Sequence, residues 1–157
     1  MRLKQPRVEI VDATRKDDAA LRDVLRRNPM PGKISVAFER EPSFYDALEV
    51  EGEENYVVAA RCKANGKLVG FGTRSIKQAY LNGKPTAIGY LSSLRLDAKY
   101  RNGLAVARGY RRLKAVHIVG NVSHYFTTII DDNHLAKKLL TSGKAGLPKY
   151  IDAGRFF

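Results

Sequence analysis

The chain of 157 residues has little cysteine and no long apolar run. Cys62 is its only cysteine, which excludes an internal disulfide and a cysteine-based metal cluster, so no metal is expected and a reducing cytoplasm is favoured. No stretch approaches the roughly 20 apolar residues that cross a bilayer. The start at Met1 is basic and no apolar run follows it, so we expect neither a secretory signal nor membrane contact.

Internal repeats, low-complexity tracts and long linkers are also missing from the chain. A length of 157 residues is enough to bury one hydrophobic core, and it is short for two. We therefore expect one domain over residues 1–157.

Acidic residues are scarce after residue 55. Residues 1–55 hold 10 Lys and Arg against 12 Asp and Glu, a net charge of −2. Residues 56–157 hold 18 against 4, a net charge of +14. Such a basic part predicts an anionic partner, which would be a nucleic acid, a membrane surface or a phosphate-bearing cofactor. The alternative is a solvated basic face that only aids solubility.

The first third of the chain predicts one strand and two helices. Residues 7–11 alternate in polarity and predict a strand. A helical stripe of Leu21, Val24 and Leu25 follows a capping-box spacing at Thr14, and the helix should end near Asn28. Residues 28–43 carry three prolines and predict a loop, after which a short helix is expected near residues 42–49.

The middle of the chain predicts an antiparallel meander. Three β-rich runs, at residues 56–63, 67–80 and 86–96, are separated by Asn65-Gly66 and Asn82-Gly83. Asn-Gly between β-rich runs is a strong sequence indication of a hairpin turn.

The last third returns to alternating helices and strands. Helical spacing of apolar residues predicts helices over residues 106–116 and 135–140. Short strands are expected at residues 125–130 and 149–157. The whole order, β-α-α-β-β-β-α-β-α-β, predicts an α+β fold in which helices pack on a mixed sheet.

The first segment with a chemical pattern runs from Leu94 to Ala105. A strand ends, a loop containing Arg101 and Gly103 follows, and a helix begins. Such a loop lets backbone N–H groups converge on an anion, and the helix N-terminus adds partial positive charge. Residues 95–115 contain seven Lys and Arg and one Asp, which strengthens the positive field. Gly103 is alternatively a plain turn residue.

The second segment leads from a strand into a helix at Asn133. Asparagine is a favoured N-cap, so one interpretation of Asn133 is purely structural. The other interpretation is that its side chain also reaches a ligand.

Together these segments resemble the GNAT N-acetyltransferase superfamily. Tyr100-Arg101-Asn102-Gly103-Leu104-Ala105 is similar to the family's R/Q-x-x-G-x-G/A pyrophosphate loop, and Asn133-His134-Leu135-Ala136 is similar to its N-x-x-A. The order of elements matches the family over nearly the whole chain. The resemblance implies a central, mostly antiparallel, splayed sheet flanked by about four helices. The family closes with two strands after its last helix, so we expect a domain lacking the last strand, trimmed or continued in a longer protein.

The resemblance also implies a cofactor site for acetyl-CoA. In the family the pantetheine arm lies along the signature strand and the pyrophosphate lies on the loop. Backbone groups of Leu94 and Leu96 would therefore pair with the arm, and Asn133 would contact the cofactor beyond the pyrophosphate. The pyrophosphate itself would be held by Arg101, Asn102, Gly103, Leu104 and Ala105.

Catalytic residues are harder to assign. The family often has a tyrosine soon after N-x-x-A that protonates the departing thiolate. That position is Leu140 here, so Tyr150 is the candidate if its loop folds back. Ser93 is the candidate that positions a water for the acceptor amine, with a packed strand serine as the alternative. For six further residues a structural interpretation is favoured over a functional one or is equal to it: His117, His124, Asp131, Asp132, Phe44 and Tyr45.

The sequence therefore predicts an acetyl-CoA-dependent N-acetyltransferase that acts on an unidentified primary amine by direct transfer. One alternative is a non-catalytic acyl-CoA-binding regulatory domain, which the missing tyrosine favours. A less favoured alternative is a basic nucleic-acid-binding domain, which the cluster of Arg108, Arg111, Arg112 and Lys114 favours. Whether the chain forms a homodimer is left open.

Overall fold

The computed structural model describes residues 7–101, 104–120, 122–143 and 146–155. Five strands and four helices lie within these ranges. The strands are β1 (Val8–Asp12), β2 (Glu54–Cys62), β3 (Leu68–Leu81), β4 (Lys84–Leu96) and β5 (His124–Phe126). The helices are α1 (Asp18–Arg27), α2 (Phe44–Leu48), α3 (Ala105–Val119) and α4 (His134–Leu140). Short 3-10 turns at Arg15–Asp17 and Ala98–Tyr100 precede α1 and α3.

The strands form one open sheet in the order β1-β2-β3-β4-β5. The first three pairs are antiparallel, and β5 runs parallel to β4. Both predicted hairpins are present. At the second, Asn82 and Gly83 have φ values of 51° and 76°, and a type I′ turn needs both central residues in this left-handed region. The expected mixed, mostly antiparallel sheet is therefore confirmed.

The helices cover opposite faces of this sheet. The predicted apolar stripe of α1 is fully buried. It packs with the buried residues of α2 against Phe71 of β3, and this cluster is the larger core. On the other face α3 packs through Tyr110 and Leu113 against Val58 of β2. Strand β4 thus lies between two differently covered faces, with α1 and α2 on one side and α3 on the other.

Two predicted strands differ from the structure. Residues 146–155 form no strand, so the strand expected at residues 149–157 is wrong up to residue 155. Phe156 and Phe157 lie outside the described residues. Gly146 and Gly154 have φ values of 77° and 99°, and Pro148 has no N–H to donate, which breaks an extended pairing run. Strand β5 ends at Phe126 rather than Ile130. In the described part of the chain, no helix is long and apolar enough to span a bilayer.

Candidate functional site

Strands β4 and β5 separate part of the way along β4. They pair from Ile88 with His124 to Tyr90 with Phe126, where the two rings stack with centroids 4.5 Å apart. The chain after Phe126 is then joined to β4 through hydroxyl groups. Thr127 Oγ1 donates to the Leu91 carbonyl at 3.0 Å, and the next residue's hydroxyl lies 2.8 Å from that of Tyr90. Backbone pairing with β5 therefore ends at Tyr90, and we call the edge of β4 beyond it the open edge.

A β-bulge interrupts β4 at the start of this open edge. Ser92 pairs with Thr73 and Arg95 pairs with Phe71, so Ser93 and Leu94 together oppose the single residue between those partners. Ser93 has a φ of 56°, a left-handed conformation that costs a non-glycine residue about 1–2 kcal/mol. A bulge leaves an extra residue's backbone groups unpaired and redirects its side chain.

Strand register decides which backbone groups of β4 face the open edge. The N–H of Asp97 donates to the Val69 carbonyl at 2.8 Å, so Asp97 and Arg95 direct their backbone groups toward β3. Because direction alternates along a strand, Leu94 and Leu96 direct theirs away from β3. The Leu94 carbonyl accepts a hydrogen bond from the Arg95 guanidinium at 2.9 Å, and the Leu96 carbonyl accepts one from Arg101 at 2.9 Å. These groups face the side on which the sequence predicts a pantetheine arm.

The segment after β4 carries the predicted pyrophosphate loop. Arg101 closes the 3-10 turn and folds back on β4. Asn102 and Gly103 lie outside the described residues. Leu104 is exposed and directly precedes α3, whose first residue, Ala105, is buried. The first turn of α3 holds no acidic side chain, so its N–H groups and partial positive charge are available to an anion.

A charged cluster lies against the bulge on the face covered by α1 and α2. We define it as Arg40, Glu51, Ser92 and Ser93. Arg40 is 4% exposed, forms an ion pair with Glu51, and donates to Ser93 Oγ at 3.3 Å. Ser92 Oγ donates to the second Glu51 oxygen at 2.7 Å and, its single hydrogen being used, accepts from Thr73 at 2.7 Å.

Aromatic rings hold the cationic member of this cluster in place. The guanidinium of Arg40 lies 5.4 Å from the ring centroid of Phe38 and 5.2 Å from that of Phe44. Its Nε is buried and has no hydrogen-bond partner in the described residues. Arg40 comes from the loop predicted at residues 28–43, so this loop takes part in the site. The loop also reaches the other side of the open edge, where the Lys33 N–H donates to Asp132 at 2.7 Å.

A chain of hydroxyl groups lies on the other side of β4. We define it as Tyr110, Tyr150 and Thr127. Tyr150 folds back so that its hydroxyl is 3.2 Å from Thr127 Oγ1 and 3.4 Å from the Tyr110 hydroxyl. Burial first, and Tyr150 second, raise the pKa of Tyr110. The hydroxyl of Tyr110 therefore stays protonated and can donate a hydrogen bond to Tyr150. Leu140, at the family's tyrosine position, is instead buried beside Tyr110 in the core.

The remaining predicted candidates occupy structural positions. Asn133 Oδ1 accepts from the Ala136 N–H at 3.1 Å, which is the N-cap arrangement. Asp131 forms ion pairs with Lys137 and Arg155. His117 lies 3.0 Å from the Tyr125 hydroxyl behind the sheet, and His124 is exposed on β5. Phe44 is completely buried in the core with Tyr45 packed against it.

Sequence reasoning missed four residues at this site. They come from four places in the chain: a loop, the turn before β2, strand β4 and helix α3, which contribute Arg40, Glu51, Arg95 and Tyr110 respectively. Glu51 sits in an acidic run, and Tyr110 looks like an ordinary residue of a helix stripe. The one usable indication was Arg95, a cation beside the bulge residues.

No protein-family profile and no curated protein matches the sequence. Solved structures match the fold. An aminoglycoside N-acetyltransferase in complex with CoA is 12% identical, with a TM-score of 0.69 over 100% of this chain and 98% of that one. An acetyltransferase of Trypanosoma brucei is 14% identical, with a TM-score of 0.65 over 96% and 99%. Glucosamine-6-phosphate N-acetyltransferase of Arabidopsis thaliana is 13% identical, with a TM-score of 0.62 over 96% and 99%.

These structures establish the fold of the chain. It is the GNAT fold, and it extends over nearly all of this chain and of each matching chain. The α+β fold class and the family resemblance expected from the sequence are thereby confirmed at the level of the fold.

Proposed function

We propose that the chain is a single GNAT-like domain over residues 1–157 that transfers an acetyl group from acetyl-CoA to a primary amine. The observation that carries this proposal is the open edge of β4. There the pairing with β5 stops at Tyr90, and a bulge at Ser93 and Leu94 follows. An extended thioester arm can add to such an edge as a short strand does, by backbone hydrogen bonds.

Acetyl-CoA would be held at both ends of this edge. The backbone groups of Leu94 and Leu96 would pair with the pantetheine arm once it displaces the guanidinium groups that occupy their carbonyls. The start of α3 with Leu104 and Ala105, together with Arg101, would hold the pyrophosphate. Asn102 and Gly103 stay predicted partners from the sequence. Asn133 would contact the cofactor through the side-chain nitrogen that its N-cap bond leaves free.

The acceptor amine would approach from the face of the charged cluster. Its nitrogen attacks the thioester carbonyl carbon, a C–N bond forms, and backbone N–H groups of the bulge stabilise the negative charge on the oxygen. The nitrogen then loses a proton to Glu51, directly or through a water positioned by Ser93. The ion pair with Arg40 and the hydrogen bond from Ser92 hold the Glu51 carboxylate in place beside the bulge.

The leaving sulfur would collect its proton on the other side of β4. When the C–S bond breaks, the thiolate needs a donor at that edge. Tyr150 is the proposed donor, because its hydroxyl lies 3.2 Å from Thr127 at this edge. Solvent then returns a proton to Tyr150 and takes up the proton that Glu51 accepted. The products are the acetylated amine and CoA with a free thiol, so atoms and protons balance.

Two measurements test this proposal. Acetyl-CoA at millimolar concentration should raise the melting temperature, and no shift would contradict both enzyme and binder. Release of free thiol should then follow when a panel of primary amines is added. Binding without thiol release by any amine would favour the non-catalytic acyl-CoA-binding alternative.

A further inference from the structure

Arg95 is a cation that the described chain does not neutralise. It lies opposite Phe71 on β3, so its side chain projects on the face covered by α1 and α2. Its Nη1 donates to the Leu94 carbonyl at 2.9 Å, while its buried Nε has no hydrogen-bond partner among the described residues. No carboxylate of the described residues lies within 4.0 Å of its guanidinium.

The positive charge of Arg40 further disfavours the charged form of Arg95. Burial first, and the positive charge of Arg40 second, lower the pKa of Arg95. Arg40 has its own counter-ion in Glu51. The two guanidinium groups are therefore accompanied by one carboxylate, which pairs with Arg40, and one positive charge is left in excess beside the bulge. A partly buried cation without a partner is unfavourable unless a ligand supplies the opposite charge.

The unpartnered atoms of Arg95 have the shape of an anion site. Nε and Nη2 form the edge of the guanidinium opposite the Nη1 that binds Leu94. Two parallel N–H groups on such an edge match the two oxygens of a carboxylate or phosphate. The same face offers Glu51 for an amine, so one molecule with both groups can satisfy both sites.

We infer that the amine acceptor carries an anionic group, a carboxylate or a phosphate, which binds the Nε and Nη2 edge of Arg95 while its amine lies toward Glu51. This inference rests on the proposed acetyl transfer and narrows its substrate class to zwitterionic amines. A polycationic acceptor would place further positive charge against Arg95 and is disfavoured. The competing source of the anion is a phosphate of the acyl donor.

The test compares amines in pairs that share a skeleton and differ in the anion, with kcat/KM expressed per unprotonated amine because the anion also changes the basicity of the amino group. Glycine and glycinamide, phosphoethanolamine and ethanolamine, and glucosamine 6-phosphate and glucosamine cover three spacings between amine and anion. Thiol release with acetyl-CoA gives kcat/KM for each. We expect at least one anionic member to exceed its neutral partner by about 100-fold, the preference that a bidentate ionic contact of this kind supplies.

Variants assign that preference to Arg95. Arg95→Gln should bring the ratio of the two kcat/KM values toward one, chiefly through KM of the anionic amine. Arg95→Lys should keep part of the ratio, because it retains charge without the fork. Arg7→Gln, which removes an exposed cation from the start of the described chain, should leave the ratio as it is. Calorimetric titration should give an acetyl-CoA affinity for Arg95→Gln no lower than that of the unaltered protein, because the proposed pantetheine arm displaces the Arg95 guanidinium from the Leu94 carbonyl.

Each other outcome has a definite meaning. Equal kcat/KM for charged and neutral members overturns the inference and leaves the acetyl transfer standing. Loss of acetyl-CoA affinity in Arg95→Gln, with the amine ratio unchanged, assigns the cation to the donor and also overturns it. If acetyl-CoA binds but no amine reacts, each pair of amines is titrated into the CoA-saturated protein. Equal binding of the two members, or no binding of the anionic member, contradicts the inference. Absence of acetyl-CoA binding contradicts the proposed function itself.

Discussion

Two sets of polar side chains flank β4, and they differ in charge and in the elements that supply them. The charged cluster of Arg40, Glu51, Ser92 and Ser93 contains a buried ion pair and lies under α1 and α2. The hydroxyl chain on the other side is neutral and comes from α3 and the C-terminal segment. A carboxylate can take a proton from an amine, whereas a phenol hydroxyl can give one to a thiolate. The difference gives the proposed acetyl transfer a direction across the strand.

The strongest test of this asymmetry is Glu51→Gln. The amide keeps the size and some hydrogen bonds of Glu51 but cannot accept a proton, so kcat should fall about 1,000-fold, within the range of general-base contributions. Glu53→Gln, on an exposed neighbour, is the matched control. Thiol release measures both. A rate for Glu51→Gln within a few-fold of the control would remove Glu51 from the proposed chemistry.

Stability should respond next most strongly, at Arg40. Arg40→Ala leaves Glu51 without its partner, so the free energy of unfolding should fall by about 3 kcal/mol. Arg15→Ala breaks two ion pairs, with Asp46 and Glu49, whose side chains are about two-thirds exposed. The effect of this change should lie within the error of urea denaturation.

A double variant separates partnership from position. Combining Arg40→Ala with Glu51→Gln should cost less than the sum of the two single changes, since the second change removes the uncompensated charge. Additive losses would mean that the two side chains stabilise the fold independently.

The opposite side of β4 should give a smaller effect. Tyr150→Phe removes the proposed proton donor and should lower kcat about 100-fold, with only a small change in KM for acetyl-CoA. Tyr80→Phe, on the exposed tip of the β3–β4 hairpin, controls for the loss of a hydroxyl. The deficit of Tyr150→Phe should shrink with an acetyl donor whose thiol is more acidic. An equal deficit with both donors would assign Tyr150 a packing role.

The smallest expected effect concerns the anchoring of β4 itself. Asp97, which follows β4, accepts from Arg27 Nε at 2.9 Å and Asn28 at 2.7 Å. Burial alone would raise its pKa, but these bonds and the Arg27 charge outweigh burial and hold the pKa below its ordinary 3.8. Its contribution is therefore present above about pH 4 and is lost as the pH falls through the lowered value.

Asp97→Asn tests this anchor. The variant should lose about 1.5 kcal/mol of unfolding free energy at pH 7, typical of hydrogen bonds to a charged group. Its stability should also fall less steeply than that of the unaltered protein on acidification below pH 4. Parallel pH profiles of urea denaturation would contradict the account.

The sequence predicted best where local patterns act alone. The Asn-Gly turns require left-handed backbone, and the stripe of Leu21, Val24 and Leu25 requires a covered helix face, so both appeared as expected. The terminal strand was wrong because Gly146 and Gly154 turn the chain and Tyr150 packs inward. Tyr150 was named from the sequence, yet whether its loop folds back depends on contacts with Thr127 and Tyr110.

By itself the sequence determined the element order, the excess of basic charge after residue 55, and the strand–loop–helix at residues 94–105, because these depend on residue type and spacing along the chain. Only the tertiary structure decided that Arg40 meets Ser93, that Glu51 meets Ser92, and that Arg95 lies beside them without a carboxylate of the described residues. Those contacts join residues 40 or more positions apart along the chain, through strand register and a loop path that no local pattern encodes.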